Sequence, residues 1–93
     1  MNREQIFEKV KKIVTDNVDF DPKQISLIGQ TRLREDLGAD SLDGFEISME
    51  LDKEFDIETS DQEIDRINNG TLTDIVDVVE ENLNKKQPNK ADR

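Results

Sequence analysis

The chain has no cysteine, no histidine, no tyrosine and no tryptophan, and only two prolines among 93 residues. Without cysteine there is no disulfide framework and no thiolate metal site, and redox logic leaves the compartment open. Without histidine the commonest general base is missing, so no serine has an evident activating partner. Apolar runs never exceed two residues, which excludes a membrane-spanning helix or a signal-peptide core. With no targeting segment, the expected setting is the cytoplasm, or an already processed chain.

What is present is charge. Charged residues make up 39% of the chain and hydrophobic ones 32%, with a net charge of −10. Residues 84–93, "NKKQPNKADR", hold four basic groups and one acid, so residues 1–83 carry −13. Such a surface repels nucleic acid and anionic membranes and attracts basic surfaces of other proteins. Neither nucleic acid nor membrane is an expected partner, and a monomer is expected. The length suits one small domain with a modest core.

The apolar spacing is helical throughout, and nothing reads as strand. Ile6, Phe7, Val10, Ile13 and Val14 share one face of a helix over residues 2–17, where Asn2 and Gln5 resemble a capping box. Residues 18–40 form a long connection whose Val18, Phe20, Ile25, Leu27, Ile28, Leu33 and Leu37 should pack over the domain, with a short turn near "DPKQI". A second helix spans 41–55. "TSDQEIDRI" reads as a short third helix capped by Ser60 with Glu63, and "INNG" at 67–70 should break it through left-handed backbone. Thr71 can cap a fourth helix bearing Leu72, Ile75, Val76, Val79 and Leu83. Residues 84–93 read as a frayed polar tail. The expected fold is all-α, a small four-helix bundle of three longer helices and one short third helix, with a long first loop.

Projected at about 100° per residue, the second helix has two apolar faces. Ile47, Leu51 and Phe55 lie together, and Leu42, Phe45 and Met49 lie nearly opposite. Asp43, Glu46, Glu50 and Glu54 fill a sector between them. A small domain needs one buried stripe per helix. The second stripe either packs on both sides of a central helix or waits for a partner beside the acids, and the few other helices favour the partner. Gly44 falls on the core side, where it costs about 1 kcal/mol relative to alanine. On propensity alone Gly44→Ala should stabilise the chain.

Residues 36–46 read "DLGADSLDGFE". Catalysis by Ser41 is excluded by the missing base and by Asp40 and Asp43 on either side. Two readings of Ser41 remain. Asp40 or Ser41 caps the helix, or Ser41 accepts a phosphate ester at a helix N-terminus, where free N–H groups and the dipole stabilise an anion.

The stretch "EDLGADSLDGFEISMELDKEFDIE", residues 35–58, strongly resembles the acyl carrier proteins of fatty acid synthesis, with "LGADSLD" close to their modification motif. The likeness extends more loosely over residues 3–83, including the ending "TLTDIVDVVEENL". It implies a carrier domain at 1–83 with a flexible tail at 84–93, and no enzymatic activity. It implies Ser41 as the residue to which a phosphopantetheinyl transferase joins 4′-phosphopantetheine from coenzyme A. It implies docking to fatty acid synthase or other acyl-transfer enzymes with basic patches through Asp40, Leu42, Asp43, Phe45, Glu46, Met49 and Glu50. It also implies an acyl pocket among Gly44, Ile47, Leu51, Phe55, Ile67, Leu72, Ile75 and Val76; on the helix projection Gly44 faces the core side one turn after Ser41, where its missing side chain should widen the mouth of that pocket between the second and third helices. No resident metal is implied, and the spacing of an EF-hand is absent. Departures from the family pattern are Lys53, Gly44, Phe45, "ETS" at 58–60 and the longer "INNGT" linker. Alternatives are a dedicated carrier for a polyketide, a specialised lipid or a D-alanyl group, and, in a different class, an acidic interaction module that is never modified.

Overall fold

The structure, a computed structural model, describes the backbone of residues 1–91 and the side chains of residues 1–85. It comprises four helices, α1 (Arg3–Asn17), α2 (Ser41–Phe55), α3 (Asp61–Asn69) and α4 (Leu72–Ala91). The only β-type pairing among the described residues is an isolated bridge between Arg32 and Thr71. No helix among them is long and apolar enough to cross a membrane.

Local chemistry starts each helix. Capping boxes open the first three: Asn2 with Gln5, Asp40 with Asp43, and Ser60 with Glu63. At α4 the Asp74 N–H donates to Thr71 Oγ1 (3.2 Å), and Asp74 Oδ2 accepts from the Thr71 N–H (2.8 Å). Asp56, in left-handed backbone, ends α2.

The apolar stripes then meet. α1 buries Ile6, Val10, Ile13 and Val14; α2 buries Ile47, Leu51 and Phe55; α3 contributes Ile67. From α4 come Leu72, Ile75, Val76, Val78 and Val79. Val78 lies outside the stripe read from the sequence and is buried because α4 packs against each of the other three helices. The long loop lays Val18, Leu33, Leu37 and Ala39 into the core, with Phe20, Ile25 and Leu27 half-buried against it. Ile28, expected to pack, stays exposed. Backbone bonds from Leu33 to Gly70 (3.1 Å), Leu72 to Thr31 (3.0 Å) and Thr73 to Gly29 (3.0 Å) pin the loop to the α3–α4 joint.

Two boundaries differ from expectation. α3 continues through Asn68 and Asn69, and Gly70 (φ −115°) is not left-handed. Gly70 is there for close approach: a Cβ would stand 2.6 Å from the Arg66 carbonyl oxygen and against the Asp74 carboxylate. α4 also runs on to Ala91, through residues read as a polar tail. Residues 92 and 93 of that expected tail lie outside the described residues.

Glu63 joins α3 to α4. It accepts from the Ser60 N–H (2.9 Å) and from Asn82 Nδ2 (3.0 Å). Burial pushes its carboxyl up, but the Ser60 backbone N–H, the Asn82 amide and the Ser60 hydroxyl together hold it below the ordinary value. Its contribution is therefore present above the unfolded pKa and is lost as pH falls through the lower folded one. Glu63→Ala should lower stability by about 1–2 kcal/mol at neutral pH. Melting temperatures of both proteins across an acid titration check this, and the gap should shrink once the wild-type carboxyl protonates.

Candidate functional site

The loop before α2 is built to hold its turn. Arg32 donates to the Asp36 carboxylate through its backbone N–H (2.8 Å) and its guanidinium (3.0 Å). The guanidinium, reinforced by that N–H, holds the Asp36 carboxyl below its usual value. Leu37 and Ala39 point into the core, and Gly38 between them takes φ +74°, which glycine adopts without strain. This delivers Asp40 to the start of α2.

Asp40, not Ser41, is the cap. Its Oδ1 accepts from the Asp43 N–H (2.9 Å), and Asp43 Oδ2 accepts from the Asp40 N–H (3.1 Å). Ser41 becomes the first helical residue, exposed, with no hydrogen bond to its hydroxyl among the described residues. The N–H groups of Ser41 and Leu42 likewise have no protein partner there. The hydroxyl thus has no structural task, and it stands where helix polarity favours an anion. Attachment of a phosphodiester fits this arrangement. Of the other serines, Ser48 is buried and donates to the Gly44 carbonyl (3.1 Å), Ser60 Oγ is engaged in the α3 cap, and Ser26 is exposed but lies in the long loop, away from any helix N-terminus.

The two faces of α2 separate as the projection indicated. Leu42, Phe45 and Met49 are 61%, 48% and 51% exposed. Asp40, Glu46 and Glu50 are exposed beside them and Asp43 is half-buried. The acids do not all face outward alike. Glu50 accepts from Asn17 Nδ2 (2.8 Å) and Glu54 pairs with Lys9 (2.7 Å), both on or beside a cleft between α1 and α2. That cleft, about 550 Å³, also holds Lys12, Asp16 and Lys53. Lys53 thus faces α1 from α2. Among the described residues no cluster of acids could hold a metal ion.

The eight residues read as an acyl pocket are all buried. Seven of them belong to the packed hydrophobic core, and Gly44 lies against Asn68. The space vacated at Gly44 is occupied: a Cβ there would overlap the carboxamide of Asn68. Both Asn68 and Ser48 are buried in this region, and periodicity did not single out either. The helix-propensity gain expected of Gly44→Ala is therefore opposed here, because the new methyl and the Asn68 side chain need the same volume.

Comparison with known proteins places the chain in a family. The family described as "Phosphopantetheine attachment site" matches residues 8–79. An acyl carrier protein of Thermosynechococcus vestitus is 39% identical over 79 residues, 85% of this chain and 93% of its own. One from Thermotoga maritima is 37% identical over 82 residues, 88% of this chain and 96% of its own. One from Phytoplasma australiense is 41% identical over 78 residues, 84% and 97% respectively. With this coverage from end to end of its relatives, the chain belongs to the acyl carrier proteins, which are carriers and not enzymes and bear covalently attached 4′-phosphopantetheine.

Proposed function

We propose that Ser41 Oγ is the attachment point of the arm, and that the protein serves fatty acid synthesis as a cytoplasmic monomer. The observation that carries the first part is the division of labour at the start of α2. Asp40 takes the cap and leaves the Ser41 hydroxyl exposed, with no hydrogen bond among the described residues. When bound, the arm supplies a terminal thiol that holds an acyl group as a thioester. Ser41 anchors it, and the exposed N–H groups of Ser41 and Leu42 favour the negative charge of the linkage. Tandem mass spectrometry after incubation with coenzyme A, Mg²⁺ and a phosphopantetheinyl transferase tests this. The added mass should map to the peptide containing Ser41.

Leu42, Phe45 and Met49 form an apolar strip bordered by Asp40, Asp43 and Glu46, suited to a partner with a basic rim around an apolar contact. Glu50 extends the strip but is partly committed to Asn17. Behind α2, the side chains of Ile47, Leu51, Phe55, Ile67, Leu72, Ile75 and Val76 make an apolar interior into which an acyl chain could fit by parting α2 from α3. The near-complete "LGADSLD" motif supports the fatty acid type.

Docking gives a further expected result. Glu46→Lys should lower the transferase kcat/KM by about tenfold at low salt, with the difference fading as ionic strength rises. Glu46 is the clean probe, because it is exposed and has no part in the cap. Asp43→Lys would confound the reading by also breaking the bond to the Asp40 N–H and setting a cation at a helix N-terminus. An unchanged, salt-independent kcat/KM for Glu46→Lys would leave the acidic strip with solubility as its only role.

A further inference from the structure

The α2–α3 seam holds a polar group that the fold does not use. Asn68 is 8% exposed, and its Oδ1 is fully buried without a hydrogen-bond partner among the described residues. Buried oxygens of this kind nearly always accept a bond, and an orphan costs stability. Its direction is specific: the carboxamide fills the volume that a side chain at position 44 would occupy. Gly44 and Ser48 follow Ser41 on one stripe of α2, about 4.5 and 10.5 Å along the axis by helical rise. Ser48 is buried as well, its hydroxyl spent on the Gly44 carbonyl. The unpartnered oxygen therefore lies against α2 three residues past Ser41, about 4.5 Å along its axis. It abuts the one position of that stripe that has no side chain.

We propose that Asn68 Oδ1 is an acceptor held ready for an uncharged donor, an amide N–H or a hydroxyl, on the arm anchored at Ser41 or on the chain it bears. This rests on the proposed attachment at Ser41. A saturated acyl chain offers no such donor, whereas the amides of the arm and the hydroxyl of a 3-hydroxyacyl chain do. Asn68 would then discriminate among loaded states, making hydroxylated cargo or the inward-folded arm more stable than a plain chain of the same length.

The experiment compares four forms of the full chain, unmodified, arm-bearing, butyryl-loaded and 3-hydroxybutyryl-loaded, in wild type and Asn68→Leu. Intact mass verifies each form, and the melting temperature is then measured. One new hydrogen bond in a domain of this size should raise the wild-type melting temperature by about 4–8 °C at the step that supplies the donor. A gain on adding the arm, with nothing further from the hydroxyl, assigns the donor to the arm. A gain of 3-hydroxybutyryl over butyryl assigns it to the cargo. Asn68→Leu should lose either gain, and unmodified it should melt no lower than wild type, because no polar atom is left unpaired. The Asn68 side-chain amide resonances of wild type should shift at the same step, a readout that does not depend on the variant folding. Equal melting increments in both proteins at every step, or amide resonances that never move, overturn the role of Asn68 alone. A chain that takes up no arm overturns this role and the attachment at Ser41 together.

Discussion

Ser41→Ala is expected to fold like the wild type and to gain no mass from coenzyme A and a transferase, a complete loss of conversion. Both halves follow from the start of α2. The hydroxyl is exposed and makes no hydrogen bond among the described residues, and Asp40 supplies the cap. Removing it should change stability by no more than about 0.5 kcal/mol, the usual range for an uninvolved surface position. Asp40→Ala provides the contrast. It should cost about 1 kcal/mol through loss of the cap while leaving the acceptor hydroxyl in place. Intact mass and thermal melting on the two variants separate the roles. Modification of Ser41→Ala, or of Ser26, Ser48 or Ser60 in the wild type, would place the arm elsewhere.

Gly44→Ala is expected to lower stability in the wild-type background and to raise it when Asn68 is also replaced by alanine. Alanine gains about 1 kcal/mol over glycine in a helix interior. Here the gain is opposed because the added methyl overlaps the buried Asn68 carboxamide, and overpacking of this kind costs about 1–3 kcal/mol. Removing that carboxamide frees the volume, so only the propensity term remains. It should appear as a rise of about 4–8 °C in melting temperature. The coupling between the two sites, about 0.5–3 kcal/mol, is read from the four corners of the double-mutant cycle. Equal effects of Gly44→Ala in both backgrounds would mean that Asn68 moves aside freely and that the glycine is not a packing requirement. Gly44→Leu should be worse than alanine in either background, since a buried seam has no room for four added carbons.

How much of this was legible beforehand depends on how local the cause is. The starts of α1 and α3 were written in single capping boxes, Asn2 with Gln5 and Ser60 with Glu63, each complete within four residues. The two-sided character of α2 followed from periodicity, and the exposure of Leu42, Phe45 and Met49 matches it. The "LGADSLD" motif points to the family by itself, because its seven residues are consecutive in the chain.

What the chain alone left open involved competition between neighbours or contact between distant segments. Asp40 and Ser41 are both good caps by residue type; backbone geometry gave the task to Asp40, and that choice freed Ser41. The extent of α3 through Asn68 and Asn69 went against local preference. Continuing the helix puts Asn68 into the seam and leaves the crowded joint to Gly70, whose missing Cβ admits the Arg66 carbonyl. Glu50 and Glu54 look like their acidic neighbours in sequence, and only the approach of α1 turned them toward Asn17 and Lys9. Gly44 and Asn68 are twenty-four positions apart, and neither helix pattern contains the other. A periodicity shows which face a residue occupies, but which atom of another helix will fill the space beside it is decided only when the two surfaces meet.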